Sequence, residues 1–556
     1  VYFVLTDRFV NGDPSNDHRD QGGANRTFDR PTPGAPEGQT DNVGYLGGDF
    51  KGVLDNAGYI RDLGFTSVWI TPIVDNPDEA FTGGEEVKWA GMFTDRGKTG
   101  YHGYWGINFY KLDEHLPSEG LDFAGFTRAM KEQKLDVVLD IVGNHGSPAY
   151  SMPKMQPQYG KVWDKDGRLI ADHQNLDPDR LDPRRKPMHA FYNTGGGLAQ
   201  LSDFNENNPA VMEYLVGAYE QWIDQGAAAF RVDTIAWMPH AFWKEFADRI
   251  RAKKPGFFMF GENFNYDAAS IAGHTWARNG SYSVLDFPLK AKLTEVFEKP
   301  GTGYEEIGKA LYLEDGPYAN PYDLMTFYDN HDMARMKASD AGFIDAHNWL
   351  FTARGIPVIY YGSEVGFERG NAEHAGNRNY FGQERIDAAP KSPIFAPLKR
   401  IAQLRRDTPA LQRGLSILQM FNASERSLSS NTIAERLGVS VSAIYRILVT
   451  LTDMGYLRKL GKNSYELGPQ VLCDGFAYLA SRDLVDIAMP HLNALRDRTS
   501  LSCHLSIREQ TDSLYIYRAF AAQRLSVNIP IGTRIPCHCT AMGRVLLTGL
   551  SPAALD

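Results

Sequence analysis

Short apolar runs alternate with longer helical patterns over the first two thirds of the chain. The runs are Val1 to Leu5, Ser67 to Ile70, Val137 to Ile141, Ala227 to Val232, Phe257 to Phe260, Tyr282 to Leu285, Leu324 to Phe327 and Val358 to Tyr361. Each has the length of a strand buried on both faces, and the intervening stretches have the length of crossover helices. Repeated βα units of this kind predict a parallel sheet, and eight of them over residues 1–411 predict a closed (β/α)8 barrel. Two polar stretches interrupt the rhythm. Residues 146–205, rich in Gly, Pro, Asp and Asn, form a long insertion after the third strand, and Val74 to Trp105 follows the second. Loops of that length are usually functional, and both belong to the C-terminal rim of the barrel.

After Leu411 the rhythm changes. Leu415 to Phe421 reads as a helix, and Ser427 to Leu460 reads as helix, turn, helix. Ile433, Leu437, Ile444 and Leu448 are spaced to pack two short helices, Gly438 permits the turn and Ser440 can cap the second helix. Leu457 to Leu467 reads as a β-hairpin wing. The expected organisation is a barrel at 1–411 with its insertion at 146–205, an α+β winged helix-turn-helix at 412–478, and a shortened α/β domain at 479–556.

At 556 residues the chain exceeds one ordinary core, and 43% hydrophobic with 23% charged residues is a globular composition. No apolar run approaches the roughly 20 residues of a spanning helix, so no membrane partner is expected. Charge is uneven: from Arg413 onward there are 15 Lys+Arg and 11 Asp+Glu, against 43 and 57 before it. The acidic front suits neutral substrates and bound cations, and the mildly basic tail is compatible with a polyanion. All four cysteines lie in the tail without zinc spacing and read as free thiols. The chain opens inside an apolar strand, so an upstream segment is expected and the lack of a leader says little about export.

Three carboxylates stand at strand ends: Asp233 after Ala227 to Val232, Glu262 after Phe257 to Gly261, and Asp332 after Met325 to His331. Four segments, Asp140-Ile141-Val142-Gly143-Asn144-His145, Phe230-Arg231-Val232-Asp233, Gly261-Glu262-Asn263 and Phe327-Tyr328-Asp329-Asn330-His331-Asp332, occur in order. In these segments residues 1–411 resemble the α-amylase superfamily of glycoside hydrolases, in its α-amylase and cyclodextrin glycosyltransferase branch. The resemblance implies a TIM barrel and a retaining hydrolase acting on α-1,4-glucosidic bonds of starch or maltooligosaccharides. It makes Asp233 the nucleophile, Glu262 the general acid and base, and Asp332 the transition-state stabiliser. Two carboxyl groups flanking a glycosidic bond are what retaining hydrolysis requires. Arg231, two residues before Asp233 on the same strand face, can keep that acid ionised. Glu262 needs a raised pKa to donate a proton near neutrality. The resemblance also implies sugar contacts from His145, His331 and Tyr104, with Trp105 beside them or in the core.

Asn11, Asp13, Asn16 and Asp17 crowd one loop, and Asp49 follows Gly47-Gly48; such oxygen clusters suit calcium. The resemblance places a calcium ion on these positions with the Gly47 carbonyl, and a second on Asn144 and Asp203. Two departures stand out. Ala199 occupies the position of the glycosyltransferases' central aromatic, which favours hydrolysis over cyclisation. Ala236-Trp237 replaces a Lys-His pair, so the aglycone side must be built differently.

Residues 412–556 resemble the IclR family of bacterial transcription regulators. The resemblance rests on Arg413 to Leu418 before the helix-turn-helix and on Gly532-Thr533-Arg534-Ile535-Pro536-Cys537-His538-Cys539-Thr540-Ala541-Met542-Gly543-Arg544. It implies double-stranded DNA as partner: Ser440, Ser442, Tyr445 and Arg446 face the major groove or its phosphates, and Lys459 and Lys462 touch backbone from the wing. Two families meeting at Leu411 to Gly414 imply a joined reading frame. The alternatives are a regulator using the barrel as sugar sensor, and a glucan transglycosylase. Compartment and oligomeric state are not assigned, because the barrel family is often exported while regulators stay in the cytoplasm.

Overall fold

In the third apolar run Val137, Val138, Leu139 and Ile141 are all buried, as a strand covered on both faces requires. The computed structural model describes all residues except 38, 40–41, 300, 314, 423–424, 438–440, 481–482, 522–528 and 551–556, and the side chains of 408–410, 442–443, 446 and 479–480. It divides into two units, Val1–Asp407 and Thr408–Asp556.

In the first unit every predicted run contains a strand. These are β1 (Tyr2–Val4), β2 (Ser67–Ile70), β3 (Asp136–Ile141), β4 (Ala229–Val232), β5 (Phe258–Gly261), β6 (Ser283–Val284), β7 (Met325–Thr326) and β8 (Ile356–Pro357 with Ile359–Tyr360). Seven lie in one parallel sheet in the order β6-β5-β4-β3-β2-β1-β8. β7 pairs with β8 through Met325 and Ile356, and a parallel bridge between Leu285 and Met325 ties it to β6. Stacked rings fill the interior: Phe3 lies on Trp69 at 3.8 Å and 16°, and Trp69 meets the ring of Phe260 edge-on at 5.4 Å. Between β3 and β4 the chain forms two small antiparallel pairs, His145–Pro148 with Leu201–Asp203 and Lys161–Trp163 with Leu169–Asp172. Helix Pro209–Asp224 then begins on an Asn208 cap with Pro at its first turn, and returns the chain to β4.

The last helix differs from expectation. One helix, α1 (Phe395–Gln419), runs through the residues read as a junction, where Leu, Gln and Arg around Gly414 carry the helix on to Gln419. In the second unit, β9 (Ser427–Ser429), α2 (Ser430–Leu437), α3 (Val441–Asp453), β10 (Leu457–Lys459) and β11 (Ser464–Leu467) enclose a small core. Ile417, Ile433, Ile444, Leu448 and Tyr465 are its centre, and the sheet order is β9-β11-β10. Helices α4 (Gln470–Ala480) and α5 (Asp483–Thr499) precede a sheet of β12 (Cys503–Glu509), β13 (Asp512–Ala519) and β14 (Arg534–Pro536). No helix among the described residues is long and apolar enough to cross a membrane.

Candidate active site

Parallel pairing carries β4 and β5 one hydrogen bond past their last residues: Asp233 N–H donates to Ile141 O and Glu262 N–H to Val232 O, each at 2.8 Å. Both carboxylates therefore leave the sheet at the same height on neighbouring strands. Gly261 makes this possible, since a Cβ there would stand 2.5 Å from Ile235 Cδ1. The turn after Asp233 is tied to the same place by Ile235 N–H donating to Glu262 O at 3.0 Å.

Arg231 is the hub. Fully buried, it donates to Asp140 Oδ1 at 2.9 Å and Asp233 Oδ1 at 2.7 Å, and its other terminal nitrogen lies 2.8 Å from Glu262 Oε2. The expected shared face of Arg231 and Asp233 is present, and the guanidinium spans both acids. Asp140 Oδ2 accepts from Trp69 Nε1 at 3.0 Å and Tyr104 Oη at 2.8 Å. Burial raises Asp140 to about 7 against the opposing pull of Arg231. Glu262 rises to about 8, through burial first, with Arg231 opposing and the charges of Asp332, Asp233 and Asp140 adding to the rise. Its Oε1 is buried with no protein partner. A carboxyl whose pKa burial has raised thus sits beside a second carboxylate, with one arginine contacting both, an arrangement suited to an acid-and-nucleophile pair.

Asp332 enters from the segment after β7. Arg378 donates to its Oδ1 at 2.6 Å, and His331 Nε2 lies 3.1 Å from its Oδ2. Burial raises the Asp332 pKa, opposed by Arg378 and Arg231. His331 also stacks on Tyr104, centroids 5.3 Å apart at 12°. His145 and His331 are both held neutral, mainly by burial. Of the two readings of Trp105, the core one matches its packing: it lies with Phe81, Met152 and Tyr159 in an apolar cluster at 4% exposure. Sequence reasoning assigned no role to Asp140, Lys98, Glu373 or Arg378. Asp140 lies inside a quoted segment, and Glu373 and Arg378 follow β8 on the rim, where barrel logic places functional side chains.

At the first expected calcium site, Asn11 Oδ1 and Asn16 Oδ1 are buried without protein donors, and Asn11 Nδ2 donates to Asp17 Oδ1 at 2.8 Å. Gly47, at φ +92°, closes the cradle: a Cβ would lie 2.3 Å from Asn11 Nδ2 and 2.5 Å from Asp17 Oδ1. Asp13 is a half-buried cap whose side chain accepts from Ser15 N. Asp49, also expected at this site, accepts from Gly12 N, Gly52 N, Asp13 N and Asn16 Nδ2. At the second site, Asn144 Oδ1 is buried without a partner, and Asp203 accepts from Asn193 at 2.9 Å beside it. Phe204 N–H donates to Asn144 O at 2.9 Å, which keeps the two together. Among the described residues no group of three or more His, Cys, Asp or Glu side chains could hold a metal, so a calcium ion at either place would need amide and carbonyl oxygens beside Asp17 or Asp203. These unmet hard acceptors fit that ion.

Residues 3–392 match the family described as "Alpha amylase, catalytic domain". The chain belongs to the alpha-amylase family. Residues 410–461 match the IclR helix-turn-helix domain, and 476–556 the bacterial transcriptional regulator IclR C-terminal domain. A cyclomaltodextrin glucanotransferase from Bacillus sp. (strain 38-2) is 30% identical over 492 residues, 84% of this chain and 62% of that protein. One from Bacillus licheniformis is 28% identical over 82% of this chain and 60% of its own length. The chain thus spans less than two thirds of the curated relatives it matches. Among solved structures, CldA, a cyclomaltodextrin glucanotransferase with a three-domain ABC distribution, superposes with TM-score 0.59 and 30% identity, covering 74% of this chain and 80% of CldA. The alpha-amylase of Geobacillus thermoleovorans in complex with acarbose gives 0.53 and 27%, covering 74% and 79%.

In this alpha-amylase-family chain the expected DNA contacts are partly described. Tyr445 is 59% exposed on α3, and Lys459 and Lys462 are exposed on the β10–β11 hairpin. Ser440 and the side chains of Ser442 and Arg446 lie outside the described residues.

Proposed function

We propose that the barrel unit cleaves α-1,4-glucosidic bonds of starch or maltooligosaccharides by double displacement with retention. The observation that carries this reading is one buried guanidinium bridging Asp233 and Glu262 at the ends of neighbouring strands, with burial raising the Glu262 pKa. Glu262 donates that proton to the leaving oxygen as an Asp233 oxygen bonds the anomeric carbon. Water then gives a proton back to Glu262 while it displaces Asp233. Asp332 opposes the positive charge of the transition state, and Tyr104, His145 and His331 surround the sugar. Calcium would be held by Asn11, Asn16, Asp17 and the Gly47 carbonyl, and by Asn144 and Asp203, and would brace loops without entering the chemistry.

A second reading is transfer of the glucan to a sugar hydroxyl. The curated relatives cited above are named glucanotransferases, and Trp237, Phe264 and Tyr266, which follow the two central acids, are about half exposed and offer rings to an acceptor. Ala199, exposed at the position read as aromatic in transferases, favours hydrolysis. Chromatography of maltoheptaose digests decides: short linear products mean hydrolysis, and longer or cyclic products mean transfer. Glu262→Gln should abolish both. For the second unit we propose a winged helix-turn-helix at 412–478 that binds double-stranded DNA through Tyr445, Lys459 and Lys462, followed by an effector-type domain.

A further inference from the structure

Lys98 is 4% exposed in the loop after β2, and a lysine so buried must be paired. Its Nζ lies 2.8 Å from Glu373 Oε1 and 3.1 Å from Asp95 Oδ1. Glu373 Oε1 is also 3.0 Å from Arg378, and its Oε2 accepts from Phe93 N–H at 3.3 Å. Arg378 in turn donates to Asp332 Oδ1 at 2.6 Å, to His331 O at 2.9 Å and to Tyr101 Oη at 3.2 Å. An unbroken chain of ion pairs therefore runs from a loop after the second strand to the carboxylate after the seventh. The loop accepts strain where it docks: Ala90 and Phe93 have φ +61° and +56°, and Ala90 N–H donates to His374 O.

We propose that Lys98 is a positioning residue, which acts through Glu373 and Arg378 to hold Asp332 in its working orientation. The physical reason is competition. Arg378 is shared between two buried carboxylates, Glu373 and Asp332, and Lys98 supplies the second cation that Glu373 needs. Without Lys98, Glu373 draws Arg378 to itself and Asp332 loses its partner. The groups facing Asp332 are Arg378, His331, Arg231, Glu262 and, one step away, Glu373 and Lys98. Loss of a nearby cation raises the pH at which Asp332 ionises; loss of a competing anion lowers it. The proposal rests on the reading of Asp332 as part of a glycoside-cleaving site.

The test uses the full chain with maltoheptaose as substrate. Lys98→Met should lower kcat at least about tenfold with KM little changed, because alignment of a transition-state group is lost. The acid limb of kcat/KM should move to higher pH. Lys98→Arg should recover most of the rate, and Glu373→Gln should move the acid limb to lower pH. A purely structural role would change the yield of folded protein and leave both limbs in place. A crystal structure of Lys98→Met provides a readout independent of activity: Arg378 is expected to leave Asp332. Wild-type kcat and pH profile in Lys98→Met, or an intact Arg378–Asp332 contact in that crystal, would overturn the proposal. If Lys98→Met does not fold, the direction of the Glu373→Gln shift decides, and no shift refutes it. A wild type that cleaves no glucan sinks the functional reading, while the crystal structure still decides the link.

Discussion

The two units spend charge in opposite ways. In the barrel unit arginines and carboxylates are buried together, with Arg231 fully enclosed among Asp140, Asp233 and Glu262. In the second unit the ion pairs lie at the surface, as in Arg436 with Glu425. Apolar groups divide the same way. One core cluster runs from Tyr2 to Ala402 in the barrel, whereas α5 has no buried residue and leaves Leu484 and Ile487 exposed. The difference teaches that the barrel keeps its charged network in the interior, where charges are strong and costly, while the second unit keeps its charges on the surface.

The largest effects should follow from breaking the buried network. Glu262→Gln is expected to lower kcat by about 10³-fold or more, with near-UV circular dichroism unchanged and the DNA affinity of the second unit intact. Arg231→Met removes the partner of three buried acids and should cost about 3–5 kcal/mol in urea unfolding of the barrel unit. Arg436→Gln, the matching change at the surface, should leave its midpoint where it was.

A subtler contrast lies in pH. Glu262 and Asp140 have folded pKa values of about 8 and about 7, above their ordinary 4.5 and 3.8. Their protonated forms favour the folded state, so this contribution is complete below about pH 4 and is lost as pH rises through 8. Glu425 and Asp474 in the second unit are lowered by hydrogen bonds from Arg436 and Tyr456, so their contribution is lost as pH falls. Calorimetry should show the barrel unit losing stability from these groups as pH rises from about 4 to 8, and the second unit losing it only as pH falls below about 4. The same Glu262 value places the alkaline limb of activity near pH 8. The smallest effect is expected at the hairpin: Lys459→Ala or Lys462→Ala should weaken DNA binding and reduce the slope of log affinity against log salt by about one each.

Most of the barrel was legible because its strands are buried on both faces and so read as unbroken apolar runs ending in chemistry. Asp233 and Glu262 follow directly on their strands, whereas β7 ends at Thr326 and Asp332 lies in the segment beyond it, singled out by the resemblance. Lys98 and Glu373 did not yield to the strand pattern, since their meaning depends on partners about 275 residues apart in sequence. Trp105 stayed open between two readings for a related reason: adjacent aromatics such as Tyr104 and Trp105 carry no sign in sequence of which core cluster each ring joins. A carboxylate in a turn, such as Asp49, reads the same in sequence whether it meets a cation or a ring of N–H donors. The helix through Leu411 to Gly414 escaped notice because the change of family at that point was read as a change of structure.

The pairing of Asp233 with a protonated Glu262 is tested most directly by proton NMR of the anomer first released from maltoheptaose. The account predicts the α anomer at early times, followed by mutarotation, with no product from Glu262→Gln. Initial release of the β anomer, or product formation undiminished in Glu262→Gln, would contradict it.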